Sequence, residues 1–181
     1  MYKLLSTGVR PLRPATFRYQ STDFADLVYR AQWLEKLKQS IGAHLHLEFF
    51  EFGDDQAKLV DALVSATPSM LFLSHSRGLT EASLVALANS SGLERLDLVG
   101  VCANDSRPLL TDAVLAQINN PSLSTVILKG CGQISFDGVD AFLKRHPNLT
   151  VLDLQGTSVQ NKAQLLQDRP SLHILGALST V

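Results

Sequence analysis

Apolar residues recur along this chain at intervals and never in long runs. From residue 44 onward, segments fit the pattern L-x-x-L-x-L: His44-x-x-Leu47-x-Phe49, Met70-x-x-Leu73-x-His75, Leu93-x-x-Leu96-x-Leu98, Leu123-x-x-Val126-x-Leu128 and Leu149-x-x-Leu152-x-Leu154, with a terminal Leu172-x-x-Leu175. Their starts are 26, 23, 30, 26 and 23 residues apart. A self-similar period of this length marks a repeat array in which each unit is one supersecondary element. Alternating apolar positions suit a short strand that buries one face. One unit cannot cover that face alone, whereas a stack can. The predicted fold class is α/β, a short solenoid of about five to six strand–helix units with a parallel sheet on its concave face.

The second half of each unit reads as a return helix. Leu79-Thr80-Glu81 leads into Leu84 and Leu87, Leu110-Thr111-Asp112 into Val114, Leu115 and Ile118, and Ile134-Ser135-Phe136-Asp137 into Val139, Phe142 and Leu143. Thr80, Thr111 and Ser135 have the hydroxyl that caps a helix start. Pro68, Pro121, Pro147 and Pro170 stand just ahead of the next strand, where proline stops a helix. The longest interval holds an insertion around Cys102–Pro108, which is expected to be a loop at a strand-to-helix junction. Upstream, Phe24, Leu27, Val28, Ala31, Leu34, Leu37 and Ile41 recur at helical spacing. Ser21 or Thr22 caps that helix, Asp23 and Asp26 suit its positive end, and Gly42 ends it. An array needs its first apolar face covered, so this is read as a capping helix. The chain divides into an arm (1–22), a capping helix (23–42) and a repeat domain (43–181).

Composition fits this picture. The 181 residues include 32 leucines, with 45% hydrophobic and 18% charged residues overall. That mixture is too apolar and too weakly charged for a disordered chain, and no run approaches the roughly 18 apolar residues of a membrane-spanning helix. Charge adds something the pattern lacks. Residues 1–22 carry Lys3, Arg10, Arg13 and Arg18 and no acid, so the formal net charge of −1 separates into +4 for this arm and −5 for the remainder. An Arg-, Ser- and Thr-rich segment free of acids has the composition of a mitochondrial presequence. A mildly acidic body lacks the basic face of a nucleic-acid binder.

Candidate chemistry is sparse. Cys102 and Cys131 lie about one repeat apart, and Cys131 falls at an inward position, where a free thiol acts as a small hydrophobe. His44 and His46 share one strand face, but two ligands do not close a zinc site. His75 is placed on a core column, satisfied by a neighbouring backbone group. No nucleophile elbow, phosphate-binding loop or dinucleotide fingerprint occurs. Asp97 and Asp153 occupy one strand position, with Glu48 as their expected counterpart. Ile127 separates the two aspartates, so they read as a solvated face rather than an acid–base pair. No catalytic, cofactor-binding or metal-ligating residue is assigned, and no cofactor is expected.

The strand positions between the core leucines should face outward. One column reads His46, Phe72, Arg95, Thr125, Val151, Ile174; the next Glu48, Ser74, Asp97, Ile127, Asp153, Gly176; a third Phe50, Ser76, Val99, Lys129, Gln155. Phe50, Phe72, Val99, Ile127, Val151 and Ile174 are thus expected on the concave face. Contiguous exposed apolar groups mark interaction sites, and these six are the predicted partner-binding residues.

Leu128-Lys129-Gly130-Cys131-Gly132-Gln133-Ile134-Ser135-Phe136-Asp137-Gly138-Val139 resembles the cysteine-containing subclass of leucine-rich repeats, whose pattern is L-x-x-C-x-x-I-T/S-D-x-G-L. Val101 and Thr157 stand at the cysteine position of other units. The helix segment Arg30-Ala31-Gln32-Trp33-Leu34 and its exit Gly42-Ala43 are similar to the mitochondrial family of ATP synthase coupling factor B and the respiratory complex I distal-membrane-arm assembly component. That resemblance implies a non-enzymatic accessory, scaffold or assembly subunit of a mitochondrial membrane complex, located in the matrix or on the matrix side of the inner membrane. Its partners would be protein subunits, with anionic lipid open to the basic arm, no direct nucleic acid and no transmembrane segment. Two alternatives are an F-box-like substrate adaptor of a ubiquitin ligase and an accessory protein of the mitochondrial ribosome. The first needs a helical module that the arm and single helix of residues 1–42 do not supply.

Overall fold

The computed structural model describes residues 16–18, 42–53, 56–103, 105–167 and 169–176. Among the described residues there are seven strands of three residues each: β1 (Thr16–Arg18), β2 (His44–His46), β3 (Met70–Phe72), β4 (Arg95–Asp97), β5 (Thr125–Ile127), β6 (Val151–Asp153) and β7 (His173–Leu175). They form one sheet in chain order, and every neighbouring pair is parallel. Parallel neighbours need a crossover. From β2 onward the crossovers contain α1 (Gln56–Ser65), α2 (Glu81–Ala88), α3 (Asp112–Gln117), α4 (Phe136–Arg145) and a short 3₁₀ helix, Lys162–Leu166. The molecule is an α/β strand–helix repeat.

Local chemistry places the helix starts where the sequence predicts them. The hydroxyls of Thr80, Thr111 and Ser135 accept from the amides of Ser83, Val114 and Gly138, each three residues on. The insertion is a small hairpin: the Ala103 amide donates to Arg107, and Cys102 pairs antiparallel with Pro108.

The core lies between sheet and helices. Leu45, Leu71, Leu96, Val126 and Leu152 hold the middle of their strands, and Leu47, Leu73, Leu98, Leu128 and Leu154 follow two residues later, all buried. Leu59 and Leu63 of α1, Leu84 and Leu87 of α2, Val114 and Leu115 of α3, and Val139, Phe142 and Leu143 of α4 close it from the other side.

This register corrects the alignment at both ends. In β2 and β3 the units sit two residues earlier than the sequence pattern suggests: Leu45 and Leu71, not Leu47 and Leu73, stack on Leu96. A shift of two preserves side-chain parity, so alternation alone could not expose it. In β7 the shift is one residue. Ile174, not Leu175, is paired with Leu152, and an odd slip reverses every side chain. Thr16–Arg18, including Arg18, is a strand that covers the edge of β2, where an open edge would leave backbone groups unpaired. Lys3, Arg10, Arg13 and the predicted capping helix lie outside the described residues.

Candidate interaction surface

The face of the sheet away from the core carries two columns in true register. One is His44, Met70, Arg95, Thr125, Val151, His173; the other is His46, Phe72, Asp97, Ile127, Asp153, Leu175. Of the six residues predicted for partner binding, Phe72, Val99, Ile127 and Val151 are half-buried beside or within these columns. The other two are corrected. Phe50 is 1% exposed and belongs to the core, because the two-residue slip moves it inward onto the position of Val101, Cys131 and Thr157. Ile174 packs against the core in place of Leu175, which is 44% exposed. Glu48 is likewise not the counterpart of Asp97; that place belongs to Phe72.

Side chains on this face engage one another. His46 stacks on Phe72 at 4.2 Å between ring centroids and 8° between planes. The Arg95 guanidinium lies 5.2 Å from the centre of the same phenyl ring, within cation–π range. Its Nε is buried without a hydrogen-bond partner among the described residues. Asp97 Oδ1 accepts from the Ser74 hydroxyl at 2.8 Å and from the Val99 amide at 3.2 Å. Asp153 Oδ1 accepts from the Gln155 amide at 2.9 Å. Both carboxylates therefore fix their own strand exits. They stand on either side of Ile127, leaving an apolar centre between acids with a cation at one flank.

The cysteines follow the packing argument. Cys131 contacts the core and its thiol faces the carbonyl of Leu98 at 3.7 Å. Burial pushes its pKa up to about 11, against the lowering effect of the Gly100 backbone and with a smaller push from Asp97. It is a protonated thiol at neutral pH, not a nucleophile. Cys102 and Cys131 line one cavity of about 190 Å³ with Gly100, Gly130 and Pro108.

One feature escaped sequence reasoning. The turn after each of β2 to β6 holds a residue in the left-handed region at the same place: Phe49 (φ 57°), His75 (φ 59°), Gly100 (φ 62°), Gly130 (φ 75°) and Gly156 (φ 66°). Their amides continue the ladder, Phe49 to Ser74, His75 to Val99 and Gly130 to Gln155. Glycine adopts this conformation without cost; phenylalanine does not. Phe49 is 70% exposed and stacks on His75 at 5.0 Å, with 20° between planes. His75 is exposed rather than in the core column expected for it. The signal was available only in correct register, where Phe49 and His75 align with three glycines.

Among the described residues, no group of three or more His, Cys, Asp or Glu is placed to hold a metal ion. No helix there is long and apolar enough to cross a membrane. No protein-family model and no curated protein matches this chain.

Proposed function

We propose that this chain is a leucine-rich repeat solenoid of the cysteine-containing type, closed at its start by the capping helix of residues 23–42. It serves as a non-enzymatic accessory or assembly subunit of a mitochondrial membrane complex, ATP synthase or a respiratory complex, on the matrix side of the inner membrane. It acts by binding protein subunits, with the basic arm available to anionic head groups. The strand–helix repeat in chain order supports the fold, and the composition of residues 1–22 supports the compartment.

The observation that carries the binding role is the open sheet face. Phe72, Ile127 and Val151 stand on it half-buried, held in place by a rigid parallel ladder and bordered by Arg95, Asp97 and Asp153. An apolar centre with a polar border is the anatomy of a protein interface. The test is a Phe72→Asp, Ile127→Asp double variant of the full chain, followed for mitochondrial localisation, co-migration with a large complex on native gels, and thermal unfolding. Loss of co-migration with a retained cooperative unfolding transition at a lowered midpoint is expected: neither side chain belongs to the buried core, but the new carboxylates stand beside Asp97 and Asp153. Undiminished co-migration would remove this face from the interaction. A wild-type protein that migrates alone, or outside mitochondria, would sink the accessory-subunit reading.

A further inference from the structure

The turn ladder singles out the first two described repeats. At one position where three later units have glycine, these two place rings on the rim of the sheet. The arrangement is seated on the third unit: a Cβ added to Gly100 would lie 2.5 Å from Nδ1 of His75. Glycine there lets the imidazole lie flat across the backbone, and Phe49 then stacks on the imidazole. Phe49, His75 and Gly100 thus form a continuous shelf over three repeats, and its outermost ring is largely open to solvent.

A cleft of about 320 Å³ adjoins the shelf, lined by Phe49, Phe50, Glu51, His75 and Arg77. Glu48 and Glu51 are exposed on either side of Phe49 in the chain. Neither carboxylate forms an ion pair among the described residues, and neither does Arg77. An exposed aromatic face draws a cation through its quadrupole, and Glu51, which lines the same cleft, reinforces that sign. Arg77 is the bridge partner of Glu51 and lines the far side of the same cleft, so its charge confines the preference to the Phe49 side and offers a donor to backbone carbonyls.

We propose that the Phe49–His75 shelf is a docking site for an arginine or lysine side chain on an extended segment of a partner protein, with the cation over Phe49 and beside Glu51. This site is separate from the open sheet face and does not depend on the reading given to that face. Its contribution is that of a specificity contact at a rim, because single exposed cation–aromatic contacts are weak.

The test uses nitrogen-labelled full-length protein and the peptide acetyl-Gly-Arg-Gly-Arg-Gly-amide, with a citrulline peptide of the same shape as the uncharged control, followed by NMR titration into the millimolar range. The arginine peptide is expected to shift the amides of Phe49, Glu51 and His75, and the citrulline peptide to bind at least tenfold more weakly. Phe49→Gly copies the residue of the later repeats, so it keeps the fold and is expected to weaken arginine binding about two- to fivefold. Glu48→Gln with Glu51→Gln should reduce it at least threefold and flatten its salt dependence. Phe72→Asp, on the sheet face, should leave it unchanged. Equal binding of the two peptides, or Phe49→Gly binding as the wild type, overturns the proposal. So does an absence of shifts at millimolar peptide. Binding that appears only after Lys3, Arg10 and Arg13 are changed to Gln assigns the shelf to the chain's own arm and overturns the assignment to a partner.

Discussion

His146 shows how one side chain joins several repeats. It is 1% exposed, and its ring stacks on Phe142 at 4.0 Å. Nε2 accepts from the Asn120 amide at 3.2 Å, so the hydrogen resides on Nδ1, which donates to the Phe142 carbonyl at 2.8 Å. Asn120 passes the connection on, donating its side-chain amide to Ala88 and Ser90 carbonyls. Burial lowers the His146 pKa from its ordinary 6.5, the Phe142 carbonyl opposes this, and the charges of Arg145 and Arg169 add to it. The linkage sign follows. As pH falls below 6.5, the unfolded chain binds a proton that the folded chain refuses, so stability falls as pH falls until the lower folded-state value is passed. Thermal unfolding of the wild type should therefore show a midpoint that drops between pH 7.5 and 5.5, about one unit either side of the ordinary imidazole value. His146→Gln should be less stable at pH 7.5 by about 1–3 kcal/mol, from weakened buried hydrogen bonds, and flatter between the two pH values. A variant with the wild-type slope would show that another group carries the acid sensitivity. Phe49 and His75 are the opposite case, residues that cost the fold. Each left-handed non-glycine costs about 1–3 kcal/mol, a cost that the stacking of the two rings offsets in part.

At the scale of elements, the start of α4 is tied to the start of α3. Asp112, in the first turn of α3, accepts from the Ser135 amide through Oδ1 at 2.8 Å and from the Ser135 hydroxyl through Oδ2 at 2.6 Å. Ser135 in turn caps α4 through the Gly138 amide at 3.1 Å. Gly138 is in the first turn of that helix, and a Cβ on it would collide with the Asp112 carboxylate. Two effects compete in Gly138→Ala: alanine favours the helix by about 1 kcal/mol, and the collision dislodges the acid that holds the cap, worth about 0.5–2 kcal/mol. The second effect should win or balance the first in the wild type, giving a loss of about 0–1 kcal/mol. In an Asp112→Ala background only propensity remains, so the same substitution should stabilise by up to about 1 kcal/mol. A denaturant-midpoint cycle without this reversal would disprove the coupling. The caps at Thr80, Thr111 and Ser135 were legible because a hydroxyl followed by an apolar helical stripe is a local signal. The strands were legible as elements, yet their register was legible only in the middle units. There, L-x-x-L-x-L is complete and Gly100, Gly130 and Gly156 mark the turn. In β2 and β3, Leu47 and Leu73 occur in a run with a second apolar residue two places earlier, and two alignments satisfy the same alternation. Phe50 and His75 depart from their expected places for that reason, since the left-handed residue at the turn ends the alternation.

The whole molecule is held by neighbours, each strand bonded to the one before and the one after in chain order. Stability in such a stack is a sum of unit and interface terms, and its ends open before its centre. The C-terminal end carries a specific brace. Lys162 donates to the Leu154 carbonyl at 2.7 Å and to the Gly176 carbonyl at 3.2 Å, joining the exits of β6 and β7. A cation over two strand-end carbonyls favours the closed end, with a net value of about 1 kcal/mol for a partly exposed group. Lys162→Met keeps the aliphatic stem and removes both bonds. Native-state hydrogen exchange should then speed up about fivefold at the Leu154 amide, which bonds to Leu175, and at the His173 amide, which bonds to Thr150. The Leu98 amide, bonded to Ile127 in the middle of the stack, should exchange at the wild-type rate. Equal acceleration at Leu98 would mean that the sheet opens as one cooperative body, and the nearest-neighbour account of its stability would fail. Exchange confined to Leu154 and His173 would instead place the weakest interface at β6–β7. That is where the one-residue slip leaves Leu175 outside, so that the strand itself gives the core the half-buried Ile174 behind the buried Leu172.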